Sequence, residues 1–175
     1  GPTWLCRLFT QADYDQGLVP ERILFEPDPV IYDRSNCTFE FRGGSWSDLT
    51  QDFIEELAPA YLDEKDVLSY QFSYLNVGEN DDIADPETGF FLDNPNKYDI
   101  YDLEAFIAEH LDKTFIFWTS SLARSVGAQV STDFNNQMRQ YAIEHDKILF
   151  DVADIEAHTD LGVACYDNRD GVEYC

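Results

Sequence analysis

The apolar positions of this chain change period in a regular order. Asp66-Val-Leu-Ser-Tyr-Gln-Phe-Ser-Tyr74, Thr114-Phe-Ile-Phe-Trp-Thr119 and Lys147-Ile-Leu-Phe-Asp-Val152 are strand-length runs rich in aromatic and branched residues. The segments between and before them follow the helical period. Leu49, Phe53, Ile54 and Leu57 share one face of a helix predicted over about 48–58, capped by Asp48 with Gln51 three residues on and ending near Pro59. Leu103, Phe106, Ile107, His110 and Leu111 do the same over 101–111, and Phe134, Met138, Tyr141 and Ala142 over 132–145. The order β-α-β-α-β predicts an α/β fold, a three-layer α/β/α sandwich with a mainly parallel sheet of flavodoxin-like type. It reads as one domain: an irregular part over 1–47, a core over 48–160 and a tail over 161–175. Within the first part, Thr38-Phe-Glu-Phe41 alternates as a short strand would. Residues 79–98 form an acidic connection of a length that compact domains seldom carry without a use.

Open sheets of this kind hold their chemistry beyond the carboxyl ends of the strands. Those ends carry Asn76-Val-Gly-Glu-Asn-Asp-Asp82, Thr119-Ser-Ser121, and Asp151-Val-Ala-Asp154 with His158 close behind. A serine is a weak nucleophile until a histidine takes its proton and a carboxylate fixes the imidazole tautomer. Ser45, Asp154 and His158 are the residues of those types in the right places, and each has a plainer reading. Ser45, in Gly43-Gly-Ser45 before a helix, has the makings of an N-terminal capping turn, and His158 of a histidine in a polar surface loop. His110 lies on an apolar helix face and reads as a core or boundary residue, and His145 reads as a partner of helix C-terminal carbonyls.

A strand followed by Gly78-Glu-Asn80-Asp81 resembles the third sequence block of the SGNH (GDSL-type) hydrolases, secreted α/β esterases and carbohydrate deacetylases. Phe115-Ile-Phe-Trp-Thr-Ser-Ser-Leu-Ala-Arg124 resembles the family's next strand and loop. Asn135-Asn-Gln-Met-Arg-Gln-Tyr-Ala142 resembles its penultimate helix, and Ile148-Leu-Phe-Asp-Val-Ala-Asp154 its last strand. The resemblance implies a site of Ser45, Asp154 and His158, with Asn80 donating to the oxyanion; on its residues alone, Asn80 also suits an Asx turn. Three features depart from the pattern. No Gly-Asp-Ser tripeptide is present, a whole β-α unit is missing between Gly43-Gly-Ser45 and the third block, and Asp154 and His158 are separated by three residues where the family has two. Two functions are therefore expected. One is a hydrolase of an ester, such as an acyl ester on a carbohydrate; the other is a catalytically silent scaffold with an extracellular structural or binding role.

Composition narrows the partners. With 35 acidic residues against 11 basic ones the formal charge is −24, which repels nucleic acid and anionic membrane surfaces. Asp81, Asp82 and Asp85, with further acids along the same loop, offer hard oxygen ligands of the kind calcium takes, although no EF-hand register fits. Otherwise no cofactor is expected, and self-association is left open. Cys6, Cys37, Cys165 and Cys175 form no C-x-x-C pattern. Joining Cys165 to Cys175 closes a short turn-rich loop, which leaves Cys6 to pair with Cys37. With the sequon Asn36-Cys-Thr38, these disulfides lean towards a secreted, extracellular or periplasmic location; four buried thiols in a cytosolic protein are the alternative.

Overall fold

Ser45, not Asp48, opens the first helix. Its hydroxyl accepts the Asp48 N–H, and the Asp48 carboxylate at the third helical position accepts the Ser45 N–H at 3.1 Å, so two otherwise unpartnered donors are satisfied reciprocally. A computed structural model describes residues 38–79, 82–122, 128–158 and 161–164. The chain divides between Phe41 and Arg42, and the fold described is that of the second unit. Residues 38–43 have no regular structure, so Thr38–Phe41 is not the short strand its alternation predicts.

Helix α1, Trp46–Asp52, runs through a π turn, Phe53–Leu57, into α2, Ala58–Tyr61. The helix therefore continues past Pro59, where the sequence predicts its end. A proline in strict α register would press its ring on the carbonyl four residues back, and the wider π turn just before it relieves that contact. Strand β1, Val67–Tyr70, is followed by α3, Tyr74–Glu79, and, after an acidic connection of successive turns, by α4, Ile100–Glu109. Then come β2, Thr114–Trp118, α5, Ala128–Glu144, β3, Ile148–Phe150, and α6, Val152–Ala157.

The three strands form a parallel sheet in the order β1-β2-β3, which makes this an α/β fold. Leu68 pairs with Phe115, Tyr70 with Phe117 and Phe117 with Leu149, so these side chains share one face. Onto it pack Trp46, Leu49 and Phe53 from the first helical segment, Leu103 and Phe106 from α4, and Phe134 and Met138 from α5. Phe72, Phe90 and Phe134 meet edge-on or tilted at its centre, with centroids 5.1–6.3 Å apart. The buried hydroxyl of Thr50 is satisfied by the Trp46 carbonyl and the Tyr70 hydroxyl. Among the described residues no helix is long and apolar enough to cross a membrane.

Two predicted strands stop early, for the same reason. β1 ends at Tyr70 because Ser73 turns the chain into α3, its hydroxyl accepting the Leu75 and Asn76 N–H groups. β3 ends at Phe150 because Asp151 caps α6, accepting the Asp154 N–H. The observed α4 agrees with its predicted range to within two residues, and α5 begins four residues earlier than predicted. Asp99 caps α4, accepting the Tyr101 N–H. His110 closes that helix with its ring against Phe106, and His145 lies stacked on Tyr141 rather than over the carbonyls of the last turn.

Asp99 is 1% exposed, and that burial raises its carboxyl above the usual value of 3.8; the nearby Asp102 carboxylate adds to the rise, against the N–H groups of Asn94 and Tyr101. A raised folded-state value means that its contribution to stability is full below 3.8 and is lost as pH rises through the folded value. Asp99→Asn keeps a capping side chain without the charge. It should flatten the decline in stability just above pH 3.8, measured as denaturation midpoint against pH.

Candidate functional site

All three strands point their carboxyl ends to one edge, and the polar groups there are joined. Gln71, just beyond β1, donates its side-chain amide to the Thr119 carbonyl beyond β2 at 3.2 Å. Ser120 is fully buried and exchanges two hydrogen bonds with the Asn135 side chain on α5. Thr119 donates its hydroxyl to Asp151 beyond β3 at 2.9 Å and accepts the Ala153 N–H at 3.0 Å. The Arg139 guanidinium, also from α5, grips both oxygens of Asp151, Nε at 2.6 Å and Nη2 at 3.0 Å. Burial by itself would raise the Asp151 carboxyl, but Arg139, the Asp154 N–H and Thr119 hold it below the usual range.

Asp154, within α6, meets His158, the extended residue just past its end. His158 Nδ1 lies 2.9 Å from the Asp154 carbonyl and 3.3 Å from its carboxylate Oδ1. A hydrogen on Nδ1 is donated to these acceptors, which leaves Nε2 as the bare, proton-accepting nitrogen. The backbone of His158 bridges Ala164 in antiparallel fashion, and the ring is about one-third exposed.

Ser45 is exposed, and its hydroxyl donates to the Asp48 carboxylate at 2.7 Å within the capping box. The turn it occupies is tied to the region beyond β1: Asn76 donates its side-chain amide to the Gly44 carbonyl at 2.9 Å, while its oxygen accepts the Ser73 hydroxyl at 2.8 Å. The hydrogen bonds from Ser45 lower Asp48 below its usual value, so this carboxylate is a poor acceptor for a serine proton. Asn80 and Asp81 lie outside the described residues, as do Cys6, Cys37, Cys165 and Cys175 and hence both predicted disulfides.

Of the acids considered for calcium, Asp82 and Asp85 have other engagements. Asp82 accepts the Trp46 indole N–H at 2.9 Å and pairs with Lys97, whose ammonium also sits 4.9 Å from the Trp46 ring centroid. Asp85 closes an Asx turn, taking the N–H groups of Glu87 and Thr88 at 2.7 and 2.8 Å, and these donors lower its carboxyl. Among the described residues no group of three or more metal-ligating side chains is gathered in one place.

Arg139, Asn135, Gln71 and Asn76 carry much of this edge and do not stand out in the sequence as site residues. One signal was available: Asn135 falls three residues before Met138 and seven before Ala142, on the buried stripe of α5, where an amide must find a partner. Comparisons with protein-family models, with curated proteins and with solved structures return no match to this chain.

Proposed function

We propose that the chain is an SGNH-like hydrolase acting on an ester, such as an acyl group on a carbohydrate, at the carboxyl edge of its sheet. The observation that carries this reading is the Asp154–His158 pair at the helix that follows β3, with Nδ1 engaged by Asp154. In this reading Ser45 exchanges its Asp48 partner for His158. Its oxygen attacks the ester carbonyl as the hydroxyl proton passes to Nε2, and His158 returns that proton to the leaving alcohol. Water activated by the same nitrogen then releases the acid and restores the serine. Asn80 is the expected oxyanion donor, and secretion goes with the resemblance and with the disulfides expected of the four cysteines.

A second reading, a silent scaffold with a structural or binding role, is favoured by one observation: the Ser45 hydroxyl is committed to Asp48 in a capping box. A short-chain nitrophenyl ester separates the two. Hydrolysis that falls about 10²–10⁴-fold in both His158→Ala and Ser45→Ala supports the enzyme, this being the size of a lost acid–base contribution. Folded wild-type protein with no turnover supports the scaffold. Turnover that survives His158→Ala removes the proposed base.

A further inference from the structure

We infer that Arg139 is a positioning residue for His158, acting through Asp151 and helix α6, an assignment whose catalytic meaning rests on His158 being the base proposed above. Helix α6 has six residues, too few to hold itself in place, so the direction of its last turn is set by what grips it. Its cap, Asp151, is the central grip. One carboxylate oxygen serves the Asp154 N–H, the Thr119 hydroxyl and Arg139 Nη2, and the other takes Arg139 Nε.

A planar guanidinium fork fixes the plane of a carboxylate as well as its distance, which a point-charge ammonium does not. Rotating the Asp151 carboxylate would therefore unmake the Thr119 and Asp154 bonds together. Thr119 completes the grip from the other side by accepting the N–H of Ala153, the buried residue of α6. Farther along, Glu156 accepts the Leu122 N–H at 2.7 Å, and the His158 backbone pairs with Ala164. The partner of the imidazole is Asp154, one turn from the cap. A small rotation of α6 thus moves the carbonyl and carboxylate that hold Nδ1, and with them the choice of ring tautomer.

The test reads the tautomer directly. Nitrogen NMR of the whole chain labelled at histidine, with the His158 signals identified by their loss in His158→Ala, is recorded where the ring is neutral. Wild-type His158 is expected as the Nδ1–H form. In Arg139→Gln, and equally in Arg139→Lys, which keeps the charge but not the fork, the population shifts to the Nε2–H form. On a nitrophenyl ester the same variants lose about tenfold or more in kcat while KM stays within about twofold, as for a group that acts only in the chemical step. Thr119→Val removes a single hydroxyl, leaves the ion pair in place and should give the same shift, so it decides the matter if the arginine variants do not fold. An unchanged tautomer in folded variants overturns the positioning role. Were the tautomer to shift in a protein that hydrolyses no ester, the positioning would stand and the hydrolase reading would fall. Were the wild type active and neither tautomer nor kcat moved, the positioning alone would fall.

Discussion

Phe134→Ala should cost about 3–5 kcal/mol of stability, the range for deleting a buried phenyl ring. Phe134 is fully buried, and its ring lies 5.6 Å from those of Phe72 and Phe91 and 6.3 Å from that of Phe90. These partners come from two separate segments, the turn after β1 and the acidic connection, and Phe134 meets them from α5. Neighbours so tethered cannot all move in to fill the space, so most of the cavity should persist. In thermal unfolding the loss corresponds to a fall of roughly 10 °C for a chain of this size. Phe134→Leu, which keeps most of the volume, should lose clearly less. A loss below about 1 kcal/mol for the alanine variant, with the denaturant slope unchanged, would mean that the ring cluster is not the centre of the core.

Gly89→Ala is the second substitution with a large expected effect, and the sign is the test. At an unconstrained position this change stabilises by about 0.4–1 kcal/mol because alanine restricts the unfolded chain. Here a Cβ would lie 2.5 Å from the Asp85 carbonyl oxygen, 2.6 Å from that of Ile83 and 2.8 Å from that of Asp82. None of the three can swing aside freely. Asp85 accepts the Gly89 N–H, Ile83 accepts the Phe90 N–H and Asp82 accepts the Asp85 N–H, each at 2.9–3.1 Å. The methyl group must break at least one of these bonds or displace Phe90, which is fully buried against Trp46 and Phe72. Destabilisation of about 1–3 kcal/mol or more is expected, with faster hydrogen exchange at the Phe90 amide. Stabilisation by Gly89→Ala would show that the connection is not held as described.

How far the sequence reaches can be judged residue by residue. α4 was legible because Leu103, Phe106 and Ile107 repeat at helical spacing, while the reciprocal cap of Asp99 and Asp102 ahead of them was seen only in the structure. The helix after β1 was not: Tyr74–Glu79 follows an apolar run whose strand signal continues through Phe72, and only the Ser73 hydroxyl, turned on its own backbone, ends that strand. Ser45 was legible as a residue of interest and ambiguous in role, since a serine before a helix serves equally as cap and as nucleophile. The capping box with Asp48 is visible as Ser-x-x-Asp, whereas the Asn76 contact that ties the turn to the sheet edge spans 32 positions and leaves no local mark.

By itself, then, the order of apolar periods determined that this is a parallel α/β fold with its polar strand ends on one edge. Periodicity is local, parallel pairing needs a crossover between strands, and parallel strands share the direction of their carboxyl ends. The pairing of Asp154 with His158 was not legible, because the sequence reads the last strand into this segment, whereas α6 ends at Ala157 and His158 follows it in extended conformation. Tertiary structure alone decided that Arg139 grips Asp151, that Gln71 reaches Thr119 and that Gly89 is enclosed by three carbonyls. The Gln71–Thr119 bond joins segments 48 positions apart, and its direction exists only once the strands are in register. Arg139 and Asp151 are twelve apart, and Gly89 only four to seven from the carbonyls that enclose it. Neither pattern carries a period: one needs α5 laid beside the end of β3, the other a connection folded back on itself, and both shapes are set by the core they pack against.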